Sequence, residues 1–257
     1  MTFPVYLELL GWRLHPHVFF EDVGYFVGAR LYFAARPAPG ETKLPLTPTL
    51  WLLVGCIFGA WAGSKLLAWL ESPHEYLALL RTEPLALLGG KTIVGGLLGG
   101  WAGIELAKLR LGLTRSTGDR FVVPLAVGTA IGRMGCFLTG LPDRTYGLAT
   151  SLPWGVNFGD GVLRHPTQLY ESGAVLVLVG GLLLATSGRH LPSGARFRLY
   201  FTGYFVFRLL IEFIKPRETP ILGLSAIQLA SLAGIALSLV SLRQLPPAPP
   251  ATSVPSA

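Results

Sequence analysis

Charge is scarce in this chain. Of its 257 residues only 14% are Asp, Glu, Lys or Arg, while 51% are hydrophobic and the mean hydropathy is +0.53. So low a charge fraction excludes an ordinary water-soluble domain and implies an integral membrane protein. Cysteine is scarcer still: Cys56 and Cys136 are the only two, both in apolar segments, which argues against a disulfide or metal framework. The N-terminus lacks a basic stretch followed by a short apolar core and a small-residue cleavage site, so the first span is read as a retained anchor. Acids are fewer than bases, 14 against 21, giving +7 at pH 7. That excess lacks the aromatic-interleaved basic stripe of a nucleic-acid binder, so no nucleic-acid partner is expected. Basic residues between apolar segments are instead the usual mark of cytoplasmic loops.

What is abundant is glycine, at 32, as expected where membrane helices approach through small residues. A helix crosses the bilayer core with about 20 apolar residues. That yardstick predicts about seven spans, near 17–36, 46–70, 85–107, 121–141, 168–187, 197–214 and 221–241. The first is interrupted by Glu21, Asp22 and Arg30, which a span tolerates if they face the bundle interior. Pro37, Pro39, Pro84, Pro216 and Pro220 punctuate the boundaries. The expected fold is an all-α polytopic membrane protein: one transmembrane domain over 1–245 and a disordered Pro-rich tail over 246–257.

Loop charges set the orientation. Lys43, then Lys108, Arg110, Arg115 and Arg120, then Arg189, Arg196 and Arg198 follow spans one, three and five, and Arg243 follows the seventh. The loops after spans two and four carry acids that match or outnumber their bases. The positive-inside rule then predicts an outside N-terminus and a cytoplasmic C-terminus, with the long 142–167 connection on the outer face. There Trp154 and Phe158 are expected at the membrane interface, beside the mouth of a cavity.

Against this apolar background two arginines stand out. Arg133 lies in FVVPLAVGTAIGRMGCFLTGL and Arg208 in LYFTGYFVFRLLIEFI. An arginine at membrane depth costs at least a few kcal/mol, so it faces a wet cavity or an anionic partner. Glu212 follows Arg208 by one helical turn, so a structural ion pair is one reading for Arg208 and anion binding the other. No acid lies within a turn of Arg133.

Four further patterns bear on a site. GGKTIVGGLLGG contains Lys91, Gly95 and Gly96: its glycines admit a headgroup or a second helix, and Lys91 either snorkels or adds charge to a cavity. Gly132 and Gly140 flank Arg133 among small residues, where a broken helix would free backbone N–H groups for an anion. HPTQLYE holds His165, Gln168, Tyr170 and Glu171, the last placed to favour a helix start or to enter a site. Tyr200, Tyr204, Arg208 and Glu212, spaced by four, share one helix face.

Taken in order, GGKTIVGGLLGG, GRMGCFLTG with Tyr146-Gly147, HPTQLYE and FRLLIEF resemble the prolipoprotein diacylglyceryl transferase family over roughly residues 20–240. The resemblance implies a seven-helix membrane body in the bacterial inner membrane. It implies an enzyme that moves the diacylglyceryl group of phosphatidylglycerol onto the lipobox cysteine of a prolipoprotein, forming a thioether and releasing glycerol phosphate. Its implied partners are phosphatidylglycerol, prolipoprotein signal peptides and the bilayer, with no metal or soluble cofactor. It makes Arg133, Arg208, Tyr204, Glu212 and His165 catalytic. Glu21, Lys91, Gly95, Gly96, Gly132, Gly140, Gly147, Gln168, Tyr170 and Glu171 become substrate-binding. Fixed guanidinium groups in a dry site would stabilise the leaving phosphate.

The chain departs from the family pattern in places. A family histidine is Val94 here, an asparagine is Cys136, a glutamate is Leu141, and a tyrosine of the first span aligns loosely with Glu21. Either Glu21 or His165 then takes up the thiol proton, or the acceptor differs. The alternatives are a diverged transferase acting on another acceptor and a non-enzymatic phospholipid-binding or transport protein on the same scaffold.

Overall fold

The computed structural model describes residues 3–9, 11–35, 44–216 and 223–247. Lys43, the prolines at 37, 39 and 220, and nearly all of the 246–257 tail lie outside the described residues. Eight α-helices are described: α1 Pro16–Ala34, α2 Leu46–Glu71, α3 Pro73–Thr82, α4 Ile93–Leu111, α5 Val122–Thr139, α6 Thr167–Ala185, α7 Ala195–Ile211 and α8 Ala226–Arg243. The body is therefore mostly helical. Among the described residues four helical segments are long and apolar enough to cross a membrane: Leu46–Glu71, Asp119–Thr139, Thr167–Ala185 and Ala226–Arg243. Two short antiparallel hairpins were not expected from an all-α reading: β1 Leu7–Leu9 with β2 Trp12–Leu14, and β3 Val156–Asn157 with β4 Leu163–Arg164.

The chain divides into two compact units. The first holds residues up to 36, 116–204 and the end of α8. In it α5 packs between α1 and α6. Gly24 of α1 and Gly128 of α5 permit the close approach, since a Cβ on Gly24 would lie 2.9 Å from the Gly128 carbonyl oxygen. Polar side chains finish the helix ends, whose last carbonyls and first N–H groups lack partners within the helix. Arg120 donates to the carbonyls of Tyr32 and Ala35 at the end of α1, at 3.3 and 3.1 Å. Asp119 accepts from the N–H groups of Gly194 and Phe197 at the start of α7, at 2.7 and 2.9 Å.

The 142–167 connection of this unit is an ordered hairpin. Asn157 Oδ1 accepts from the N–H groups of Gly159 and Gly161, and Arg164 pairs with Asp160. That hydrogen bond from Arg164 holds the exposed Asp160 carboxyl below the usual carboxylate range. Trp154 is exposed. Phe158 is not: it is 2% exposed, within a ring cluster of Phe3, Phe137 and Tyr146. Phe158 folds back onto Phe137 at the end of α5, so burial overrides the interfacial placement.

The second unit holds residues 37–115 and 205–236. Its frame is the pairing of α2 with α4. Gly55, Gly59 and Gly63 face Gly95, Gly99 and Gly103, each series spaced by one turn. A Cβ on Gly99 would collide with the Gly59 carbonyl oxygen, and one on Gly95 with that of Gly63. This is the small-residue seam that membrane helices use in place of a hydrophobic driving force.

α4 begins at Ile93, later than the span expected from residue 85. Pro84–Leu88 forms a 3-10 turn and 89–92 is not helical. Lys65, buried in α2, fixes that break by donating Nζ to the carbonyls of Leu88, Gly89 and Gly90, the last at 2.8 Å. At the start of α8, Ser225 and Gln228 exchange reciprocal bonds: Ser225 N–H donates to Gln228 Oε1 at 3.0 Å, and Gln228 N–H to Ser225 Oγ at 3.2 Å. Glu71 accepts from the Ile227 N–H in the same turn, at 3.0 Å.

Candidate active site

In the first unit Arg133 sits on α5, 6% exposed. Its counter-ion comes from another helix. Glu171 of α6, 2% exposed, places Oε2 at 2.8 Å from Arg133 Nη2. The other carboxylate oxygen accepts from the Tyr204 hydroxyl of α7 at 2.7 Å. Glu171 therefore does not cap its helix; both oxygens join α5 and α7. Ser172 braces α6 against α5, donating Oγ to the Ala130 carbonyl at 3.0 Å. A buried ion pair is costly to dehydrate and tolerable only with geometry of this quality.

The guanidinium is not exhausted by Glu171. Arg133 Nε has no hydrogen-bond partner among the described residues, and Nη1 reaches only the Cys136 sulfur, at 3.7 Å. A Cβ at neighbouring Gly132 would meet nothing within 4 Å. Gln168 is 1% exposed, yet neither end of its side-chain amide finds a partner among the described residues. Buried polar atoms are normally satisfied, so donors left over here point to a ligand. Arg133, with donors to spare, suits an anion.

Cys136 leads to a second cluster. His17 of α1 places Nδ1 at 2.7 Å from Asp143 Oδ1 and 3.9 Å from Cys136 Sγ. Its Nε2 lies 3.5 Å from Glu21, which also accepts from the Tyr25 hydroxyl at 2.9 Å. Asp143 ends the 3-10 turn Leu141–Asp143 that follows α5, and the Thr145 hydroxyl donates to it. Burial by itself would raise the Asp143 carboxyl, but the hydrogen bonds from His17 and Thr145 win and hold it below its ordinary range. The run Glu21–His17–Cys136–Arg133–Glu171–Tyr204 thus joins residues of four helices, α1, α5, α6 and α7, all within the first unit.

The other expected residues divide. Gly140 turns the chain with φ +74° between α5 and the 3-10 turn, against Phe3. Gly147 donates its N–H to the His165 carbonyl at 2.9 Å. His165 itself faces Tyr170, with Nδ1 at 3.3 Å from the hydroxyl, which also accepts from Trp154 Nε1 at 2.7 Å. No described contact joins His165 to Arg133. In the second unit, Gly95 is occupied by helix packing, Gly96 has ordinary room and Lys91 is exposed before α4. Arg208 pairs with Glu212 at 3.0 Å, both nearly fully buried, which is the ion-pair reading of that turn. His17 and Asp143 were missed as site residues. The only sequence signal was indirect: His17 precedes Glu21 by one turn, and Asp143 falls in the insertion that displaces the family glutamate.

Fold and site define a helical membrane protein that carries a buried arginine beside a cysteine–histidine–carboxylate cluster. A model of the prolipoprotein diacylglyceryl transferase family matches residues 4–243. The chain is 36% identical to a phosphatidylglycerol–prolipoprotein diacylglyceryl transferase of Methylobacillus flagellatus, covering 94% of this chain and 97% of that protein. It is 34% identical to the enzyme of that name from Geobacter sulfurreducens, over 88% of each. Against that from Bordetella bronchiseptica the identity is 32%, over 79% of each. The chain belongs to the prolipoprotein diacylglyceryl transferase family.

Proposed function

We propose that this protein transfers the diacylglyceryl group of phosphatidylglycerol to the lipobox cysteine of prolipoproteins, in the bacterial inner membrane. The observation that carries the reading is Arg133: buried, oriented by Glu171, and left with an Nε donor that has no partner among the described residues and that an incoming anion would satisfy. Sulfur attack on the terminal glyceryl carbon breaks its bond to the phosphate oxygen, and glycerol phosphate leaves with added charge. A guanidinium held rigid in a dry site stabilises that charge without reorganising. Glu171 and Tyr204 hold the guanidinium in place, and Gln168 offers an amide to the ester or glycerol oxygens. Arg208, with Glu212 in the second unit, takes the catalytic role that the family resemblance implies for it.

The topology that fits this chemistry has seven spans formed by α1, α2 and α4–α8, as a single transmembrane body over 1–245. The N-terminus is outside, the C-terminus is cytoplasmic, and the Trp154 hairpin lies on the outer side where signal peptides are presented. Support comes from the loop charges and from the helix ends described above.

The test is expression in cells depleted of their own transferase, followed by detection of diacylglyceryl-modified prolipoprotein. The purified protein, given phosphatidylglycerol vesicles and a lipobox peptide, should release glycerol phosphate in step with peptide lipidation. Release without peptide modification would point to another acceptor. A correctly inserted protein that does neither refutes the proposal.

A further inference from the structure

We propose that His17, Cys136 and Asp143 form a binding site for a thiophilic divalent cation of the zinc class, with a fourth coordination position open to an incoming thiolate. Their ligand atoms all lie within 4.8 Å of one another, drawn from α1, α5 and the turn after α5. An imidazole nitrogen, a thiolate and a carboxylate are the donors that a tetrahedral zinc ion takes, at about 2.0–2.1, 2.3 and 2.0–2.2 Å respectively. Tetrahedral angles then require nitrogen and sulfur to stand about 3.6 Å apart, and here they stand 3.9 Å apart. The nitrogen–oxygen separation would be about 3.3 Å around such an ion. The present 2.7 Å is a hydrogen bond, so binding exchanges the bridging proton for the metal and moves the carboxylate by a fraction of an ångström.

The surroundings are those of a metal site rather than of three polar groups brought together by packing. Ligating histidines give their second nitrogen to a carboxylate, and ligating carboxylates are themselves hydrogen-bonded. His17 Nε2 faces Glu21 and Asp143 accepts from Thr145. Arg133 Nη1 sits 3.7 Å from the sulfur, on the side that favours thiolate. Charge also balances: thiolate and carboxylate match a divalent cation, while Glu171 already neutralises Arg133. His17 keeps 30% of its side chain exposed, which leaves a way in for cation and thiol. Three protein ligands with one open position is the arrangement of catalytic rather than structural zinc.

The catalytic use of this site rests on the transferase reading; the site itself does not. A thiol is mostly protonated at neutral pH, and coordination removes its proton outright. With Val94 where the family has histidine, the cation would supply the activation: the thiol proton leaves to water as the metal–sulfur bond forms. The sulfur then attacks the glyceryl carbon, and the carbon–oxygen bond to phosphate breaks. Two scattered cysteines make no metal framework by themselves, but one of them suffices once histidine and aspartate join it.

The test begins with elemental analysis of the full chain purified without chelator, together with Cys136→Ser and Asp143→Asn. About one zinc per chain is expected in the parent and under a tenth of that in either variant, given that three ligands define the site. Asp143→Asn, outside the helices, keeps the comparison valid if Cys136→Ser misfolds. Cobalt(II) added to stripped protein should give a thiolate-to-cobalt charge-transfer band that is absent from Cys136→Ser, and a lipobox thiol peptide should shift the visible bands. Cobalt that binds without a sulfur band, or equally well in Cys136→Ser, overturns the proposal. So does a metal-free parent that lipidates at full rate. Metal-loaded protein that shows the sulfur band but lipidates nothing refutes the transferase reading and leaves the site standing.

Discussion

Replacing Glu171 with glutamine removes one charge and almost no volume, so it isolates the ion pair at the centre of the site. Arg133 and Glu171 are 6% and 2% exposed, and their closest approach is 2.8 Å. Glutamine can still accept from the Tyr204 hydroxyl, so that bond need not break. What is lost is the counter-charge, leaving a buried guanidinium uncompensated, for which the expected destabilisation is about 3–5 kcal/mol. In a chain of this size that corresponds to a fall in melting temperature of roughly 6–20 °C, readable by tryptophan fluorescence in detergent.

Activity should fall further than folding explains. If Arg133 loses its aim and about 3 kcal/mol of phosphate stabilisation with it, lipidation slows by roughly two orders of magnitude below the melting range. The double variant Arg133→Gln/Glu171→Gln separates the two effects. With both charges gone its stability should exceed the sum of the single losses by ~1–3 kcal/mol, while activity stays lost. A Glu171→Gln protein within ~1 kcal/mol of the parent and near parental in rate would refute the reasoning, because a buried unpaired charge is never that cheap.

Arg208→Lys keeps the charge facing Glu212 but not the planar fork, so lipidation should drop at least tenfold with little change in melting temperature; near-normal rates would exclude phosphate clamping by Arg208. Gly99→Val places a side chain against the Gly59 carbonyl, and should cost ~3 kcal/mol or more, or prevent stable insertion, as seen by loss of folded protein in detergent. In a Cys56→Ser background, impermeant thiol reagents added outside should label Trp154→Cys readily and Phe158→Cys poorly, whereas cytoplasmic labelling of position 154 would reverse the topology. Asp160 has a lowered folded value, so its hold on the Val162 N–H is fully present above about pH 4 and is lost only as pH falls through that lower value. In Arg164→Gln the pH at which the Val162 amide loses its protection should therefore rise toward the ordinary carboxylate value of about 4, with exchange at neutral pH little changed.

Much of the frame was legible because it is local or periodic. Helix positions followed apolar runs, so α2, α5 and α6 end within two residues of the expected limits. The largest boundary error, at α4, came from a break that contains no proline after Pro84. It is held by a lysine 23 to 25 positions away that donates to three carbonyls. Gly95 was assigned to substrate and proves to be packing, because a run of glycines does not say whether a lipid or a helix will fill the space. Phe158 was placed at an interface because an exposed and a buried aromatic look alike until the chain folds over them.

The sequence by itself determined a helical, membrane-embedded chain, the family it belongs to, and an arginine set inside an apolar helix. Hydropathy and turn-spaced patterns act over one helix and need no partner to be read. Only the tertiary structure decided what Arg133 pairs with, since Glu171 lies on a different helix. It alone brought His17 to Cys136 across 119 positions. Those contacts depend on which faces α1, α5 and α6 bury against one another, and that is settled by packing small residues at distances no local pattern encodes.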